Sequence, residues 1–202
     1  MDIFLLRHAE TESNKQGALS SSIDDVLTKL GLEQANSIVA QLGILEINSI
    51  LSSPYPRAIN TITPFAKTSG LKINTHACLA EGQLVLDSNL ESVNPEYEIG
   101  NGYPIQDESQ EQFIGRAKEA SKLLLKQQNS RTLVVSHGHM IREILNTFMP
   151  TPSKIRYPHD NCGLTHISFG ESVIIKYINR AISSNKIKNH SLQLGRTKVR
   201  PF

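Results

Sequence analysis

Short apolar runs alternate along this chain with stretches in which apolar residues recur every three or four positions. Runs of the first kind have the length of buried β-strands, and stretches of the second kind have the period of amphipathic helices. Strands are predicted at residues 3–6, 47–51, 132–135, 163–169 and 173–178. Such an alternation is typical of α/β folds whose sheet is mostly parallel. We therefore expect a three-layer α/β/α sandwich with a mostly parallel central sheet.

The last two predicted strands depart from the parallel arrangement. They are joined by a short turn at Gly170-Glu171, and a connection this short joins antiparallel neighbours. The sequence therefore predicts an antiparallel strand at one edge of the sheet. An edge strand can pair with a second chain, so a homodimer is left open.

Local start and stop signals place helices between the strands. Thr28 is a candidate N-cap for a helix whose apolar face would be Leu32, Ala35, Val39 and Leu42. Pro56 suits the first turn of a helix that carries Ile59, Ile62 and Phe65. Ser109 and Gln112 form a capping-box pattern before Phe113, Ala117, Ala120 and Leu124. A last stripe, ended by Pro150, contains Ile141, Ile144, Leu145 and Phe148.

Size and composition are those of one soluble domain, which we place at residues 1–180. The chain has 202 residues, 39% of them hydrophobic and 20% charged, and its net charge of +2 is too small to argue for nucleic acid or a membrane surface. No stretch has the length of a transmembrane helix, and the N-terminus does not resemble a secretory signal. Cys78 and Cys162 show no metal or redox spacing, so we expect free thiols and a cytoplasmic protein.

Two segments do not follow the alternation. Residues 81–108 are polar and rich in Asn, Gly and Pro, which predicts a variable substrate loop or a small cap. Residues 181–202 contain basic side chains and no acid. We expect a mobile, solvated tail there, with an arm for an anionic partner as the alternative.

Three predicted strand ends carry groups suited to an anion. The first strand ends at Arg7-His8, the second leads to Arg57 near a helix start, and the third leads to His137-Gly138. In α/β sheets, ligands bind at the carboxyl ends of strands, and the helix after Gly138 would offer its N–H groups. Arginine supplies a planar fork that matches phosphate oxygens. These residues together predict a phosphate site.

The two histidines suggest chemistry beyond binding. A neutral histidine is a competent nucleophile for a phosphoryl group, and a second, protonated histidine could bind the transferring oxygens. The leaving alcohol then needs a proton donor, for which Glu81 is a candidate at the start of the irregular segment. Other acids in that segment remain alternatives: Glu91, Glu96, Glu98 and Asp107. A metal centre is disfavoured because the histidine spacing matches no zinc motif.

Four blocks of the sequence resemble the histidine phosphatase superfamily, the phosphoglycerate mutase-like group. "LRHAET" followed by Asn14 resembles R-H-G-E-T-x-x-N, and "LTKLGLEQA" resembles L-T-x-x-G-x-x-Q-A. "SSPYPRAINT" resembles S-S-x-x-x-R-A-x-x-T, and "VVSHGHMIR" resembles V-x-H-G-x-x-I-R. Each block alone is weak, whereas four in the right order are specific.

The resemblance implies roles for individual residues. His8 would be the nucleophile that becomes phosphohistidine, and Glu81 would be the acid. The phosphoryl oxygens would be bound by Arg7, Asn14, Arg57, His137 and the Gly138 N–H. No metal and no cofactor is implied.

Two departures from the family pattern matter for function. Ala9 replaces the usual glycine after the histidine, which is tolerable if its φ is negative. The stretch 82–108 contains no Lys or Arg, whereas the mutase branch grips a phosphorylated sugar acid with basic residues there. We therefore favour a hydrolase acting on a small phosphate ester in the phosphatase branch. Mutase-type transfer and a phosphoprotein (phosphohistidine) phosphatase remain alternatives.

Overall fold

A computed structural model describes residues 1–17, 25–82, 108–127, 130–149 and 158–182. The strands are β1 (Asp2–Arg7), β2 (Ser49–Ser52), β3 (Ile73–Thr75), β4 (Arg131–Ser136), β5 (Gly163–Phe169) and β6 (Val173–Ala181). The helices are α1 (Glu12–Lys15), α2 (Lys29–Ser37), α3 (Val39–Gly43), α4 (Pro56–Ser69), α5 (Gln110–Leu125) and α6 (Gly138–Phe148). A 3₁₀ turn spans Ala77–Leu79.

The strands form one mixed sheet in the order β3-β2-β4-β1-β5-β6. The first four in this order are parallel, and β5 and β6 are antiparallel to their neighbours. The mostly parallel sheet and the β5–β6 hairpin are thus confirmed. The antiparallel edge comprises two strands rather than one.

Alternate side chains of β1 enter two separate cores. Phe4 and Leu6 pack with α3 and α4 on one face of the sheet, whereas Ile3 and Leu5 pack with α5 and α6 on the other. This period of two is expected of a strand that is buried on both faces. The predicted three-layer arrangement is therefore confirmed.

Most helix signals act as predicted. The Thr28 side chain accepts from the Gly31 N–H, Pro56 is in the first turn of α4, and Ser109 with Gln112 forms a complete capping box on α5. The predicted apolar face of the first long helix is partly wrong, because Leu32 is 51% exposed. The buried positions are Gly31, Gln34, Ala35, Ile38 and Leu42, so the core-facing stripe passes one residue before Leu32 and continues through the turn at Ile38.

Two predicted features lie almost wholly outside the described residues. Of the variable segment 81–108, only Glu81, Gly82 and Glu108 are described, and of the basic segment 181–202 only Ala181 and Ile182. Ala181 ends β6, where it pairs with Gly163. In the described part of the chain, no helix is long and apolar enough to cross a membrane.

Candidate active site

The carboxyl ends of β1 and β4 bring the two predicted site histidines together. The two strands are parallel neighbours in which Arg7 pairs with Ser136, so the next residues, His8 and His137, leave the sheet side by side. Their ring centroids are 5.1 Å apart. His8 is 3% exposed and His137 is 1% exposed. The sheet register alone therefore creates the pair.

His8 is held in one tautomer. Its Nδ1 lies 2.8 Å from the carbonyl oxygen of Ala9. A carbonyl only accepts hydrogen bonds, so Nδ1 carries the hydrogen and Nε2 is left unprotonated. Burial lowers the pKa of His8 well below its usual value, and the charges of Arg7 and Arg57 lower it further. His8 is therefore neutral, as a nitrogen nucleophile must be.

Two buried guanidinium groups flank the histidines. Arg7 donates through Nη1 to the His159 carbonyl, while its buried Nε has no hydrogen-bond partner within the described residues. Arg57, in the first turn of α4, donates through Nε to Nδ1 of His137 at 3.3 Å and lies over the Tyr55 ring. Buried cations need a counter-charge, so this arrangement favours an anionic ligand.

His137 is also neutral. Its Nδ1 accepts from Arg57, so its hydrogen lies on Nε2, which is 2.8 Å from the Ser53 hydroxyl. Burial lowers the pKa of His137 well below the usual value, and the charges of Arg57 and Arg7 act in the same direction. A bound phosphate dianion would favour the protonated imidazole.

Glu81 lies in the same site and contacts the N-terminus of α6. Its Oε2 accepts from the His139 N–H and its Oε1 from the Met140 N–H, both at 3.2 Å. Its negative charge also acts on both Arg7 and Arg57, whose pKa values burial lowers and Glu81 raises. The N–H groups in the first turn of α6, which the sequence predicted to bind the phosphate, thus also donate to this carboxylate. The rival acids Glu91, Glu96, Glu98 and Asp107 lie outside the described residues.

Gly138 and Asn14 also lie close to the histidine pair. Gly138 begins α6 beside Arg7: a Cβ added there would lie 3.7 Å from Arg7 Nε. Asn14, buried in α1, accepts through Oδ1 from Asn161 Nδ2 at 2.8 Å. All seven predicted site residues are therefore described and grouped around the ends of β1 and β4, while their roles stay predictions.

Three residues that the sequence did not assign to the site help to fix this geometry. Asn161 donates to the His8 carbonyl as well as to Asn14, Ser53 contacts His137, and the His159 carbonyl accepts from Arg7. Ser53 lies within the block "SSPYPRAINT", but the sequence around Asn161 carries no comparable signal. Cys162, which follows Asn161, donates its backbone N–H to the Arg7 carbonyl. The φ angle of Cys162 is 57°. Burial raises the pKa of the Cys162 thiol to about 12.

The block "LTKLGLEQA" supports the loop after His8. Thr28 donates its hydroxyl to Glu10 Oε1, and Gln34 accepts from the Glu10 N–H. Gly31 approaches the Glu10 carbonyl so closely that an added Cβ would lie 2.1 Å from its oxygen. Ala9 is buried with no positive φ, and its N–H donates to the Thr61 hydroxyl, so the alanine is accommodated.

Comparison with known families identifies the architecture. The profile of the histidine phosphatase superfamily (branch 1) matches residues 3–179. The chain belongs to this superfamily. Transient phosphorylation of a histidine is general to this superfamily, and the residue at the motif position of this chain is His8.

Named proteins that are similar to this chain include both mutases and phosphatases. A probable phosphoglycerate mutase, GpmB, from Yersinia enterocolitica is 28% identical, with 85% of this chain and 86% of the relative covered. A putative α-ribazole-5′-phosphate phosphatase from Escherichia coli has a TM-score of 0.72 at 19% identity, covering 89% and 96% of the two chains.

A phosphoserine phosphatase from Entamoeba histolytica has a TM-score of 0.66 at 23% identity, covering 88% and 96% of the two chains. Both structural likenesses establish the fold. Among the residues that the structure describes, no group of three or more His, Cys, Asp or Glu side chains is placed to hold a metal ion.

Proposed function

We propose that this histidine phosphatase is a metal-independent phosphomonoester hydrolase that acts on a small phosphorylated metabolite through a phosphohistidine on His8. The observation that carries the proposal is the tautomer of His8. Its Nδ1 hydrogen is directed to the Ala9 carbonyl, which leaves an unprotonated Nε2 in a site with two buried guanidinium groups. This is the arrangement in which a nitrogen lone pair can attack a bound phosphoryl group.

The first step transfers the phosphoryl group to His8. The Nε2 lone pair forms a bond to phosphorus while the bond from phosphorus to the ester oxygen breaks. The leaving oxygen takes the proton of the Glu81 carboxylic acid and departs as an alcohol. Arg7, Arg57, a protonated His137, Asn14 and the Gly138 N–H bind the equatorial oxygens, on which negative charge is spread.

The second step returns His8 to its starting state. A water oxygen forms a bond to phosphorus while the N–P bond breaks, and its electron pair returns to Nε2. The Glu81 carboxylate takes a proton from the attacking water and is again an acid. The sum of both steps is a phosphate ester and water converted to an alcohol and inorganic phosphate.

The charge of the segment 82–108 supports hydrolysis over mutase transfer. Its 27-residue sequence, GQLVLDSNLESVNPEYEIGNGYPIQDE, has acids but no Lys or Arg. A second phosphate on the substrate would be repelled by such a segment. We therefore propose a monophosphate ester whose remainder is uncharged or cationic, and we retain the cytoplasm as the predicted location.

Mutase-type transfer is the second candidate, because the 28% identical relative is named a probable phosphoglycerate mutase. It requires that a phosphohistidine be maintained by a bisphosphate primer and returned to a second hydroxyl of the sugar acid. A phosphohistidine-protein phosphatase is a third possibility from the sequence.

The deciding experiment is a chelator-treated hydrolysis assay of wild type, His8→Ala and His76→Ala. The substrates are p-nitrophenyl phosphate and a panel of phosphorylated metabolites, with a bisphosphate-primed mutase assay and a phosphohistidine peptide alongside. We expect chelator-resistant hydrolysis and a trapped phosphoenzyme in wild type and His76→Ala, and neither in His8→Ala. Turnover retained by His8→Ala would refute the mechanism, and primer-dependent isomerisation without hydrolysis would establish the mutase.

A further inference from the structure

Arg116 is a buried cation that belongs to none of the four sequence blocks. It lies on α5, and its side chain is 6% exposed, beside Glu108 at 4%. Its Nε and Nη2 donate to the two carboxylate oxygens of Glu108 at 2.9 and 2.6 Å. A bidentate pair of this kind fixes the plane of the guanidinium group.

The third nitrogen of Arg116 reaches the segment that leads to Glu81. Nη1 donates to the Ala80 carbonyl at 2.5 Å and also lies 3.4 Å from the Cys78 carbonyl. The intervening carbonyl, that of Leu79, accepts from the Ser136 hydroxyl at 2.6 Å. Three successive carbonyl groups before Glu81 are therefore held, two of them by one side chain.

Helix α5 also fixes the residue that follows Glu81. A Cβ added to Gly82 would lie 2.6 Å from the Phe113 ring, so the chain passes against that ring with no room for a side chain. The Arg116 guanidinium lies over the same ring, 5.1 Å from its centre. One turn of α5 thus contacts the backbone on both sides of Glu81, whose carboxylate points to α6.

We propose that Arg116, oriented by Glu108, is a positioning residue for the proton donor of the reaction. It acts through the Ala80 carbonyl, which fixes the backbone before Glu81 and so holds the Glu81 carboxyl group at the first turn of α6, within reach of the leaving oxygen. Glu108 also ends the segment 82–108 whose charge we connect with substrate choice, so one guanidinium group fixes both flanks of that segment. The inference rests on the proposed function, since the leaving oxygen is that of the phosphate ester.

A structural role and a positioning role differ in their dependence on the leaving group. An acidic phenol leaves p-nitrophenyl phosphate without needing a proton, whereas the alcohol of an alkyl phosphate must be protonated as it leaves. We expect Arg116→Gln to lower kcat/KM about 10- to 100-fold toward an alkyl phosphate and only slightly toward p-nitrophenyl phosphate. Glu108→Gln should show the same selectivity to a smaller extent.

Arg131→Gln is the matched control. Arg131 also pairs with a carboxylate, that of Asp2, and also donates to a backbone carbonyl, that of Leu45, but on β4 at the other end of the strands. Arg131→Gln should leave the ratio of kcat/KM toward the alkyl phosphate to kcat/KM toward p-nitrophenyl phosphate unchanged. If Arg116→Gln does not fold, Arg116→Lys replaces it, because an ammonium group cannot hold Glu108 bidentately and both carbonyls at once.

A second readout does not depend on turnover. The His139 and Met140 N–H groups donate to the Glu81 carboxylate, so loss of its position should speed their hydrogen exchange, measured by NMR, relative to Ile144 and Leu145 in the same helix. Glu81→Ala gives the limiting rates. Equal losses toward both esters, or unchanged exchange at the two amides, would overturn the proposal. Wild-type protein that hydrolyses neither ester would refute the proposed function instead, and amide exchange would then decide the position of Glu81.

Discussion

The Ser53 hydroxyl lies 2.8 Å from Nε2 of His137 and accepts the hydrogen that this nitrogen carries. Arg57 donates to the other nitrogen, Nδ1, so the imidazole is held from both sides. Ser53 itself is fixed, because its N–H donates to the Val135 carbonyl of β4 and its hydroxyl accepts from the Tyr55 N–H. The orientation of His137 therefore depends on a residue of the loop between β2 and α4.

Ser53→Ala should lower kcat/KM about tenfold, because the Nε2 hydrogen of His137 loses its buried acceptor. NMR of the His137 ring nitrogens should still place the hydrogen on Nε2, because Arg57 continues to donate to Nδ1, but that hydrogen should exchange faster with solvent. Ser121→Ala, which removes another buried hydroxyl, from α5, should leave both measurements unchanged. A hydrogen on Nδ1 of His137 in either protein would contradict the assignment.

The free energy of unfolding should fall as the pH falls below about 6.5. His8 and His137 have pKa values well below that of the unfolded chain, so below about pH 6.5 the unfolded state binds protons that the folded state does not. Each such histidine contributes about 1.4 kcal/mol per pH unit until its folded-state pKa is reached. Urea unfolding at several pH values measures the slope.

Two comparisons test that assignment of the slope. His8→Gln should reduce the slope of the unfolding free energy against pH by the contribution of His8. Saturating inorganic phosphate should flatten the slope, since a bound anion favours the protonated form of His137. A slope identical in wild type and His8→Gln would show that other groups cause the acid dependence.

Gly31→Ala should destabilise the protein by about 1–3 kcal/mol, because its Cβ would lie 2.1 Å from the Glu10 carbonyl oxygen. Moving α2 away would also loosen the loop after His8, so activity should fall with stability. Gly115→Ala is the matched control: it is inside α5, and its Cβ would meet nothing within 4 Å. That variant should gain about 0.5–1 kcal/mol in thermal or urea unfolding.

Ala9→Gly tests whether the departure from the family motif affects activity. The Ala9 methyl group is buried in the core, and its backbone has no positive φ, so glycine offers no geometric advantage. We expect a loss of about 1 kcal/mol in stability and an unchanged kcat/KM. A marked increase in kcat/KM would show instead that the methyl group obstructs the phosphate.

The elements that were predictable share one property, a signal within a few neighbouring residues. The short apolar run at residues 3–6 and the capping box of Ser109 and Gln112 are local patterns, and both describe the structure correctly. Strand β3 has three residues and no apolar run, so it offers no pattern to detect. The exposed Leu32 was mispredicted because Gly31 and Gln34 occupy core-facing positions of α2, which a search for large apolar residues does not detect.

The residues of the candidate site also divide into those that were predictable from the sequence and those that were not. Residues that meet at strand ends, such as His8 and His137, follow from the rule that ligands bind at the carboxyl edge of a parallel sheet. The residues that hold them are found only in three dimensions: Asn161 is 153 positions from His8, and Ser53 is 84 from His137. A single polar residue in a loop carries no sequence signal for a partner so far away along the chain.

The Cys162 thiol is unreactive although the residue lies next to the candidate site. The residue directly follows Asn161, and its N–H contacts the strand end that carries Arg7, yet its thiol is buried with a pKa near 12. A thiol that stays protonated in the cell is a poor target for oxidants and alkylating reagents. Phosphoryl chemistry at His8 should therefore proceed alike in reducing and oxidising surroundings, as far as this cysteine is concerned.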